Sequence, residues 1–358
     1  MYVPRFPALF PRRLIDDGSP KSVWAGPLAQ RYRIPMTKPY LSVVVVARND
    51  NYGGGFLAKL QTFQRVLVEL CTEAQLQTEI VLVEWNPPPE NPGIAEVVRS
   101  SVIGSEEVKL RIITVPASVH SGLPLSSQQP VLEYLGKNAG IRRASGEFIL
   151  ATNPDTLFSA QLVDRLKSRR LREDTFYRVD RADVASPAPQ DAPARQIEAY
   201  CRQNVLRTHG RWFEAGPKNR SIRHWLLQGP AIARRALGDF VRYRTCVPLH
   251  FGAPGDFILM HQRQWHKIRG FPELEMFAGR GHHLDGLTLV AASYQGLRQE
   301  VFGGSCVLYH QEHERPEQEK AWAPPVQFVY DAMHALHRPW YNSAEWGLGE
   351  HTLPEQIV

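Results

Sequence analysis

Cysteine is scarce in this sequence, and long apolar runs are missing from it. The 358 residues include four cysteines, none of them in a C-x-x-C pair, at Cys71, Cys201, Cys246 and Cys306. This distribution excludes a disulfide-stapled scaffold and a cysteine-based zinc site. The strongest apolar run, 41–47, is only as long as a strand, whereas a membrane span needs about 20 residues. We therefore expect a globular protein with no membrane span.

Two common nucleotide-binding signatures are also missing. The glycine-rich turn Gly53-Gly54-Gly55 does not have the spacing G-x-G-x-x-G, and no G-x-x-x-x-G-K-[ST] loop occurs in the sequence. A dinucleotide-dependent oxidoreductase and a P-loop hydrolase are therefore poorly supported.

Arginines occupy the N-terminal stretch where a signal peptide would have its apolar centre. We therefore expect a cytoplasmic protein.

Positive charge is present in moderate excess, and most of it is arginine. Lysine and arginine number 42 against 36 aspartates and glutamates, which gives a formal net charge of +6, and only nine of the 42 are lysine. Arginine binds phosphate through its planar, two-point fork, so the composition favours a phosphate-rich ligand or a polyanion. A GC-rich genome would give the same composition. The sequence has no helix-turn-helix, zinc-finger or aromatic RNA-binding signature, so we expect no nucleic-acid partner.

Strand and helix patterns alternate from residue 39 onward. The run 41–47 is rich in valine and continuous, which is typical of a strand covered on both faces. Leucine and phenylalanine recur at helical spacing between residues 60 and 70. In full, the patterns predict strands over 41–47, 79–84, 109–115, 147–151 and 301–310, and helices over 56–71, 131–144 and 159–170. This alternation predicts an α/β fold with a parallel, helix-covered sheet.

Polar residues follow three of the predicted strands. They are Arg48-Asn49-Asp50, Glu84 and Asn153-Pro154-Asp155. Ligands of parallel sheets bind at the carboxyl ends of the strands, so these groups are candidates for one site. Asp155 and Asn153 offer the hard oxygen ligands that suit Mg²⁺ or Mn²⁺ bound to a diphosphate, although a plain turn uses the same residue types.

Three segments, Val45–Asp50, Ile80–Asn86 and Lys137–Asp155, resemble the nucleotide-sugar glycosyltransferases of the GT-A fold, most closely the family 2 type. The third segment carries the pattern N-x-G-I-R-x-A-x-G-E-x-I-x-x-x-N-x-D, which joins a helix, a strand and a metal loop at fixed offsets. The resemblance covers about residues 40–165 and weakens toward residue 313. It implies a Rossmann-like, mixed but mainly parallel sheet. It also implies a hexosyl- or N-acetylhexosaminyl-transferase of polysaccharide biosynthesis, which uses a UDP- or GDP-sugar and a carbohydrate, lipid-linked or small-molecule acceptor.

The resemblance also implies roles for residues in the donor half. Glu84 matches the acidic residue that binds the base or ribose. Asn153 stands where the family has the first aspartate of a D-x-D motif, which leaves Asp155 as the main ligand of Mn²⁺ or Mg²⁺. The remaining residues implied to border the donor are Ala47, Arg48, Asn49, Asp50, Asn138 and Arg142. Outside the resemblance, Arg178 or Arg181 could face the donor, or the segment could be a strand with a solvated face.

On the acceptor side, Asp256 and Trp265 resemble the segment that precedes the catalytic carboxylate of the family. Asp285 stands at the position of that carboxylate and is implied to be the base of an inverting transfer; a helix N-terminal carboxylate is the alternative. His283 is a candidate for acceptor contact or a solvated side chain. A histidine after the last strand matches a further metal ligand of the family, and His310 is preferred over His313.

The patterns divide the chain into five parts. We expect an N-terminal extension over 1–38, a nucleotide-sugar half over 39–165, an irregular arginine-rich insertion over 166–247, an acceptor and catalytic half over 248–314, and a tail packing on the body over 315–358. The basic extension predicts at most peripheral contact with the inner face of a membrane.

Three alternatives stay open at this point. A nucleotidyltransferase would need a G-x-G-T-R-like loop after the first strand, which Arg48-Asn49-Asp50-Asn51 does not supply. A non-enzymatic polyanion-binding protein would show its arginines in one stripe and a steep salt dependence. A catalytically degenerate glycosyltransferase would account for the asparagine at position 153.

Overall fold

The computed structural model of the chain belongs to the mixed α/β class. It describes residues 38–99, 105–124, 126–185, 187–210, 214–215, 249–274, 284–313 and 327–358, with parts of 229–241. Eleven strands of these residues form one sheet. The strands are β1 (Leu41–Ala47), β2 (Thr78–Trp85), β3 (Val108–Val115), β4 (Phe148–Ala151), β5 (Thr156–Phe158), β6 (Thr175–Val184), β7 (Val205–His209), β8 (Glu214–Ala215), β9 (Ile258–His261), β10 (Arg298–Gln311) and β11 (Glu355–Ile357). Neighbours in the sheet follow the order β11-β3-β2-β1-β4-β9-β6-β10-β5, and β7 and β8 extend it beside β6.

Helices cover both faces of this sheet. They are α1 (Phe56–Glu73), α2 (Ile94–Arg99), α3 (Ala117–Ser121), α4 (Glu133–Arg143), α5 (Ala160–Lys167), α6 (Ala194–Gln203), α7 (Gln262–Ile268), α8 (Leu284–Tyr294) and α9 (Gln327–Leu336). One apolar core lies between the sheet and α1, α5 and α6, and a second lies between the sheet and α4, α7 and α8. The predicted fold class, a mixed sheet flanked by helices, is confirmed. No helix of the described residues is long and apolar enough to cross a membrane.

The strands β3, β2, β1 and β4 form the parallel half of the sheet. Every residue of β1 and β2 is buried, as continuous β-branched runs predict for strands covered on both faces. β1 pairs in parallel with both β2 and β4. The carboxyl ends of β1 and β4 therefore lie side by side, which brings Arg48 and Asn153 to the same edge of the sheet.

Helix α4 lies flush on β1 and β2 because it carries glycine at two positions one turn apart. A Cβ on Gly140 would lie 2.5 Å from Cγ1 of Val44, and one on Gly136 would lie 2.9 Å from Cγ2 of Val46. A methyl group at either position would clash with the strand, so the G of the N-x-G-I-R pattern is a packing requirement. This close approach places the start of α4 beside the carboxyl ends of the strands.

The described residues of the segment 166–247 include regular strands and a helix, β6, β7, β8 and α6. Its strand β6 has ten residues and pairs in parallel with β10 and antiparallel with β9. Charged residues within β6, among them Arg178, Arg181 and Asp183, hide the apolar pattern of a buried strand. All three are buried, and each has a partner outside β6.

The last residues of the chain pack on the parallel half. β11 pairs antiparallel with β3 at the sheet edge. The Arg143 guanidinium donates hydrogen bonds to the carbonyls of Gly347, Leu348 and His351. These contacts tie the chain end to the end of α4.

Candidate functional site

A cavity of about 250 Å³ opens at the carboxyl ends of β1 and β4. Its walls come from the segment after β1, the start of α1, the loop before α4, the loop after β4, and from β6 and β10. Its polar and charged lining residues include Arg48, Asp50, Tyr52, Lys59, Gln129, Glu133, Asn153, Asp155, Arg181, Asp256, His310 and His313. This is the edge where the sequence predicts a ligand site.

Three side chains in this cavity form a cluster that could hold a metal ion. Nε2 of His310 lies 3.4 Å from Oδ2 of Asp155, and Nε2 of His313 lies 3.1 Å from the same oxygen. One ligand atom from each residue lies within 4.8 Å of the other two. Oδ1 of Asp155 is buried and has no hydrogen-bond partner among the described residues. An unsatisfied carboxylate oxygen beside two imidazole nitrogens fits a divalent cation.

The charges of this cluster are strongly coupled. Burial works against the charged form of His310, yet the carboxylates of Asp155 and Asp183 raise its pKa to about 10. Burial would raise the pKa of Asp155, but His310 and His313 hold it well below its usual range. Asp155 is therefore a carboxylate at neutral pH, which is the form that binds metal.

The asparagine at the D-x-D position has two specific partners. Oδ1 of Asn153 accepts a hydrogen bond of 2.7 Å from Nζ of Lys137, and Nδ2 donates one of 2.7 Å to Oδ1 of Asp256. An amide can accept from an ammonium and donate to a carboxylate at once, whereas an ionised aspartate can only accept. An aspartate here would face Asp256 with a like charge. Asn153 therefore connects Lys137 to Asp256, and Asp155 is the carboxylate of this loop that belongs to the candidate metal cluster.

Asp256 faces the cavity from the 3₁₀ turn Pro254–Asp256 and forms an ion pair of 2.5 Å with Nη1 of Arg181. Burial opposes ionisation of Asp256, but Arg181 lowers its pKa overall. Arg178 holds this turn from behind, because its fully buried guanidinium donates to the carbonyls of His250, Gly252, Pro254 and Phe257. Of the two β6 arginines considered from the sequence, Arg181 lines the cavity and Arg178 does not.

The donor-side predictions divide into two groups. Ala47, Arg48 and Asp50 line the cavity, and Nη1 of Arg48 contacts Oδ2 of Asp50 at 2.6 Å. Asn49 and Glu84 lie outside the described lining. Nδ2 of Asn49 donates to the Pro92 carbonyl, and Oε1 of Glu84 accepts from the backbone N–H of Ile94, the first residue of α2. The Glu84 carboxylate, to which the resemblance assigns binding of the nucleobase or ribose, therefore caps a helix in this structure.

Asn138 and Arg142 also lie outside the described lining of the cavity. Nδ2 of Asn138 donates to the Phe271 carbonyl and to Oε1 of Glu273, and its Oδ1 accepts from the Phe271 N–H. Arg142 donates to the carbonyls of Ala344 and Trp346. Helix α4 thus turns Asn138 and Arg142 toward the C-terminal segments, while Lys137 contacts Asn153 at the cavity; the donor-facing role of the two residues stays a prediction.

The acceptor-side predictions also divide. Trp265 is fully buried and donates through Nε1 to the Ile149 carbonyl, so it belongs to the core. Asp285 lies in the first turn of α8, where Oδ1 accepts a 2.7 Å hydrogen bond from the Gly286 N–H. Burial raises the pKa of Asp285 above its ordinary value. Asp285 is not among the lining residues of the cavity and lies against Gly255 and Tyr134. His283 lies outside the described residues.

The chain was compared with family models, curated proteins and solved structures. No family model and no curated protein matches the chain. Among solved structures, the chain is similar to S. aureus TarS. The structure of TarS 1–349 in complex with UDP-GlcNAc is 14% identical, with a TM-score of 0.43, over 83% of this chain and 66% of that chain. Two further TarS structures are also 14% identical, with TM-scores of 0.37 and 0.38, over 76% of this chain and 36% and 60% of theirs.

This chain thus spans less than two thirds of the length of each TarS structure.

Sequence reasoning missed several residues of this site. Lys59 lines the cavity and donates through Nζ to the carbonyls of Gly53 and Gly54, which fixes the glycine turn before α1. Lys137 and Asp183 hold the residues that face the cavity. A lysine one residue before the N-x-G-I-R pattern was a visible signal, whereas Asp183 lies in a segment whose strand pattern is masked by charge.

Proposed function

We propose that this protein is a metal-assisted glycosyltransferase that moves a sugar from a nucleotide-diphosphate donor to a hydroxyl group of a carbohydrate, lipid-linked or small-molecule acceptor. The observation that carries the proposal is the cluster of Asp155, His310 and His313 in a cavity at the carboxyl ends of β1 and β4. Such a site suits a diphosphate bound through a divalent cation. The GT-A-like pattern that contains Asp155 supports the same reaction class.

The ligand set favours manganese over magnesium. Asp155 is one carboxylate, whereas His310 and His313 are two imidazoles. Mg²⁺ prefers an all-oxygen ligand set, whereas Mn²⁺, as a transition-metal ion, accepts imidazole more readily than Mg²⁺ does. We therefore propose Mn²⁺ as the preferred ion of the two predicted from the sequence. When bound, the ion would neutralise charge that develops on the leaving diphosphate.

Residues of the chain would hold and orient the donor around that ion. Lys59 places an ammonium at the cavity wall, and Arg48 with Asp50 lines the wall at the end of β1. Asp256 and Arg181 neutralise each other in the cavity, so they offer a fixed polar surface with little net charge. The donor's nucleoside would lie near β1 and its diphosphate near Asp155, with UDP- and GDP-sugars as the candidate donors.

Asp285 is the proposed base. Its raised pKa makes it a better proton acceptor than Asp256, whose pKa Arg181 lowers. A base opposite the leaving group implies a single displacement, so we expect the anomeric configuration to be inverted in the product. The anomeric coupling in the proton NMR spectrum of the product measures this outcome. A retained configuration would remove Asp285 from the role of base.

A thermal-shift experiment tests the donor and metal site. We expect UDP or GDP with Mn²⁺ to raise the melting temperature of the wild-type protein, since a ligand that binds only the folded state stabilises it. Asp155→Ala is expected to abolish this shift because it removes the carboxylate of the metal cluster. Asp164→Ala, at an exposed position of α5, is the matched control and should keep the shift. The proposal fails if no nucleotide or nucleotide sugar shifts the wild-type protein with Mn²⁺.

An assay of donor-sugar hydrolysis tests the alternative of a catalytically degenerate glycosyltransferase. Slow hydrolysis of one nucleotide sugar in a panel, dependent on Mn²⁺ and on Asp155, would identify an active enzyme. The division into donor and acceptor halves, the cytoplasmic location and the peripheral membrane contact stay predictions of the sequence.

A further inference from the structure

A buried chain of polar and charged groups connects helix α4 to the candidate metal cluster. The first link is a hydrogen bond from Nζ of Lys137 to Oδ1 of Asn153. In the second link, Nδ2 of Asn153 donates a hydrogen bond of 2.7 Å to Oδ1 of Asp256. It then passes from Oδ2 of Asp256 to Nη1 of Arg181 at 2.5 Å, and from Nε of Arg181 to Oδ1 of Asp183 at 2.8 Å. Each cation or donor in this chain of side chains faces an anion or acceptor. The chain ends at Asp183, which contacts His310 of the cluster.

Asp183 is the last group of this chain and touches a candidate metal ligand. Its side chain is fully buried, and Oδ1 lies 3.2 Å from Nδ1 of His310. Its other oxygen, Oδ2, contacts Nε of Arg207 and lies 3.0 Å from Nε2 of His209. Four side chains therefore fix the orientation of this carboxylate.

His310 lies between two carboxylates, one at each ring nitrogen. Nδ1 faces Asp183, and Nε2 lies 3.4 Å from Oδ2 of Asp155 in the cluster. Histidine binds a metal in its neutral form, so an incoming ion would displace one proton from His310. The ring would keep its other proton on one nitrogen and a lone pair on the other. A carboxylate at Nδ1 favours the proton there, which leaves the lone pair of Nε2 directed at the ion.

We propose that Asp183 is a positioning residue that holds His310 in the tautomer and ring orientation required for metal binding. This inference rests on the proposed function only in taking Asp155, His310 and His313 as the ion's ligands. It gives Asp183 no contact with the ion, the donor or the acceptor.

A direct ligand role for Asp183 is the competing interpretation. Asp183, His310 and Glu312 also have atoms close enough to surround an ion. However, Arg207 contacts both Asp183 and Glu312, and Arg181 contacts Asp183 as well. Two guanidinium groups at this position would repel a cation. The charge distribution therefore places the ion on the Asp155 side of His310.

Metal titration tests the role of Asp183. We expect Asp183→Asn to weaken Mn²⁺ binding, followed by electron paramagnetic resonance with and without UDP, by about 10- to 100-fold, the usual cost of losing such a partner. Asp180→Asn is the matched control, because Asp180 lies on the same strand and contacts another histidine, His250, away from the cluster. This control should bind Mn²⁺ as the wild type does.

The outcomes separate this inference from the proposed function. If Asp155→Ala abolishes Mn²⁺ binding while Asp183→Asn leaves it unchanged, the positioning role is wrong and the metal site stands. If the wild-type protein binds no Mn²⁺ with or without UDP, the proposed function fails, and the inference fails with it.

A measurement on the wild-type protein covers the case in which Asp183→Asn does not fold. Nitrogen-15 NMR of the imidazoles in the Zn²⁺-loaded protein should show His310 with a proton on Nδ1 and none on Nε2. A proton on Nε2 of His310, with Nδ1 bound to the ion, would overturn the inference and favour the competing arrangement with Asp183 as a ligand.

Discussion

At the scale of single residues, several polar side chains in this protein are explained by the partners that they contact. Asn153 is the clearest example, because its amide lies between the ammonium of Lys137 and the carboxylate of Asp256. An asparagine at position 153 therefore fits the local charges. The candidate metal cluster does not depend on a carboxylate at this position, since His310 and His313 both approach Asp155.

His250 gives a prediction about pH at the same scale. Its ring is fully buried, accepts from the Gly252 N–H through Nδ1, and lies 2.9 Å from Asp180 through Nε2. Burial lowers its pKa to about 4 from the ordinary 6.5. Because the unfolded chain takes up the proton first, the stability that the neutral ring contributes is complete above pH 6.5 and is lost as pH falls toward 4.

We expect this group to remove about 3 kcal/mol from the free energy of unfolding across that window, at 1.36 kcal/mol for each unit of pKa. Urea unfolding at several pH values between 4 and 7.5 measures the dependence. His250→Gln should flatten the curve relative to the wild type, whereas His337→Gln, at an exposed position, should not. An equally steep curve for His250→Gln would contradict the assignment.

At the scale of elements, α4 is the helix on which the site depends. It contacts β1 and β2 through its glycines, directs Lys137 toward the cavity, and directs Asn138 and Arg142 toward the C-terminal segments. The N-x-G-I-R pattern in this helix therefore encodes packing and attachment of the chain end. Its link to the cavity is through the neighbouring Lys137.

Gly140→Ala tests this packing. The added methyl group would lie 2.5 Å from Cγ1 of Val44 and 3.0 Å from Cγ2 of Val83, both in buried strands. We expect a loss of about 1–3 kcal/mol in the free energy of unfolding from overpacking, even though alanine favours helix by up to about 1 kcal/mol. Gly303→Ala, with no atom within 4 Å of the new methyl group, is the control and should change stability by less than about 0.5 kcal/mol. Equal denaturation midpoints for the two variants would show that α4 can move away from the sheet.

At the scale of the whole molecule, the arginine-rich composition has a structural meaning. Arg178, Arg142 and Arg143 donate mainly to backbone carbonyls, while Arg181 and Arg111 pair with buried carboxylates. These guanidinium groups join segments that are far apart in sequence. The net charge of +6 is therefore weak evidence for a polyanion partner.

The sequence predicts the parallel half of the sheet well. The strands β1 to β4 and the helices α1, α4 and α5 lie within a few residues of their predicted bounds, and the Ser159 side chain caps α5. It predicts β6 poorly, because buried charges interrupt the apolar pattern. Among the site residues, Arg48, Asp50, Asn153, Asp155, Asp256 and His310 line the cavity, whereas Glu84, Asn138, Arg142 and Trp265 have partners elsewhere.

The sequence by itself determined the α/β class, the strand ends that carry polar groups, and the loop that contains Asp155, because these depend on patterns within a few neighbouring residues. Only the tertiary structure decided which polar groups meet. His313 approaches Asp155 from 158 residues away, and Asn153 lies between Lys137 and Asp256. Pairing between distant segments depends on sheet order and on the direction each helix turns its side chains, which no local pattern records.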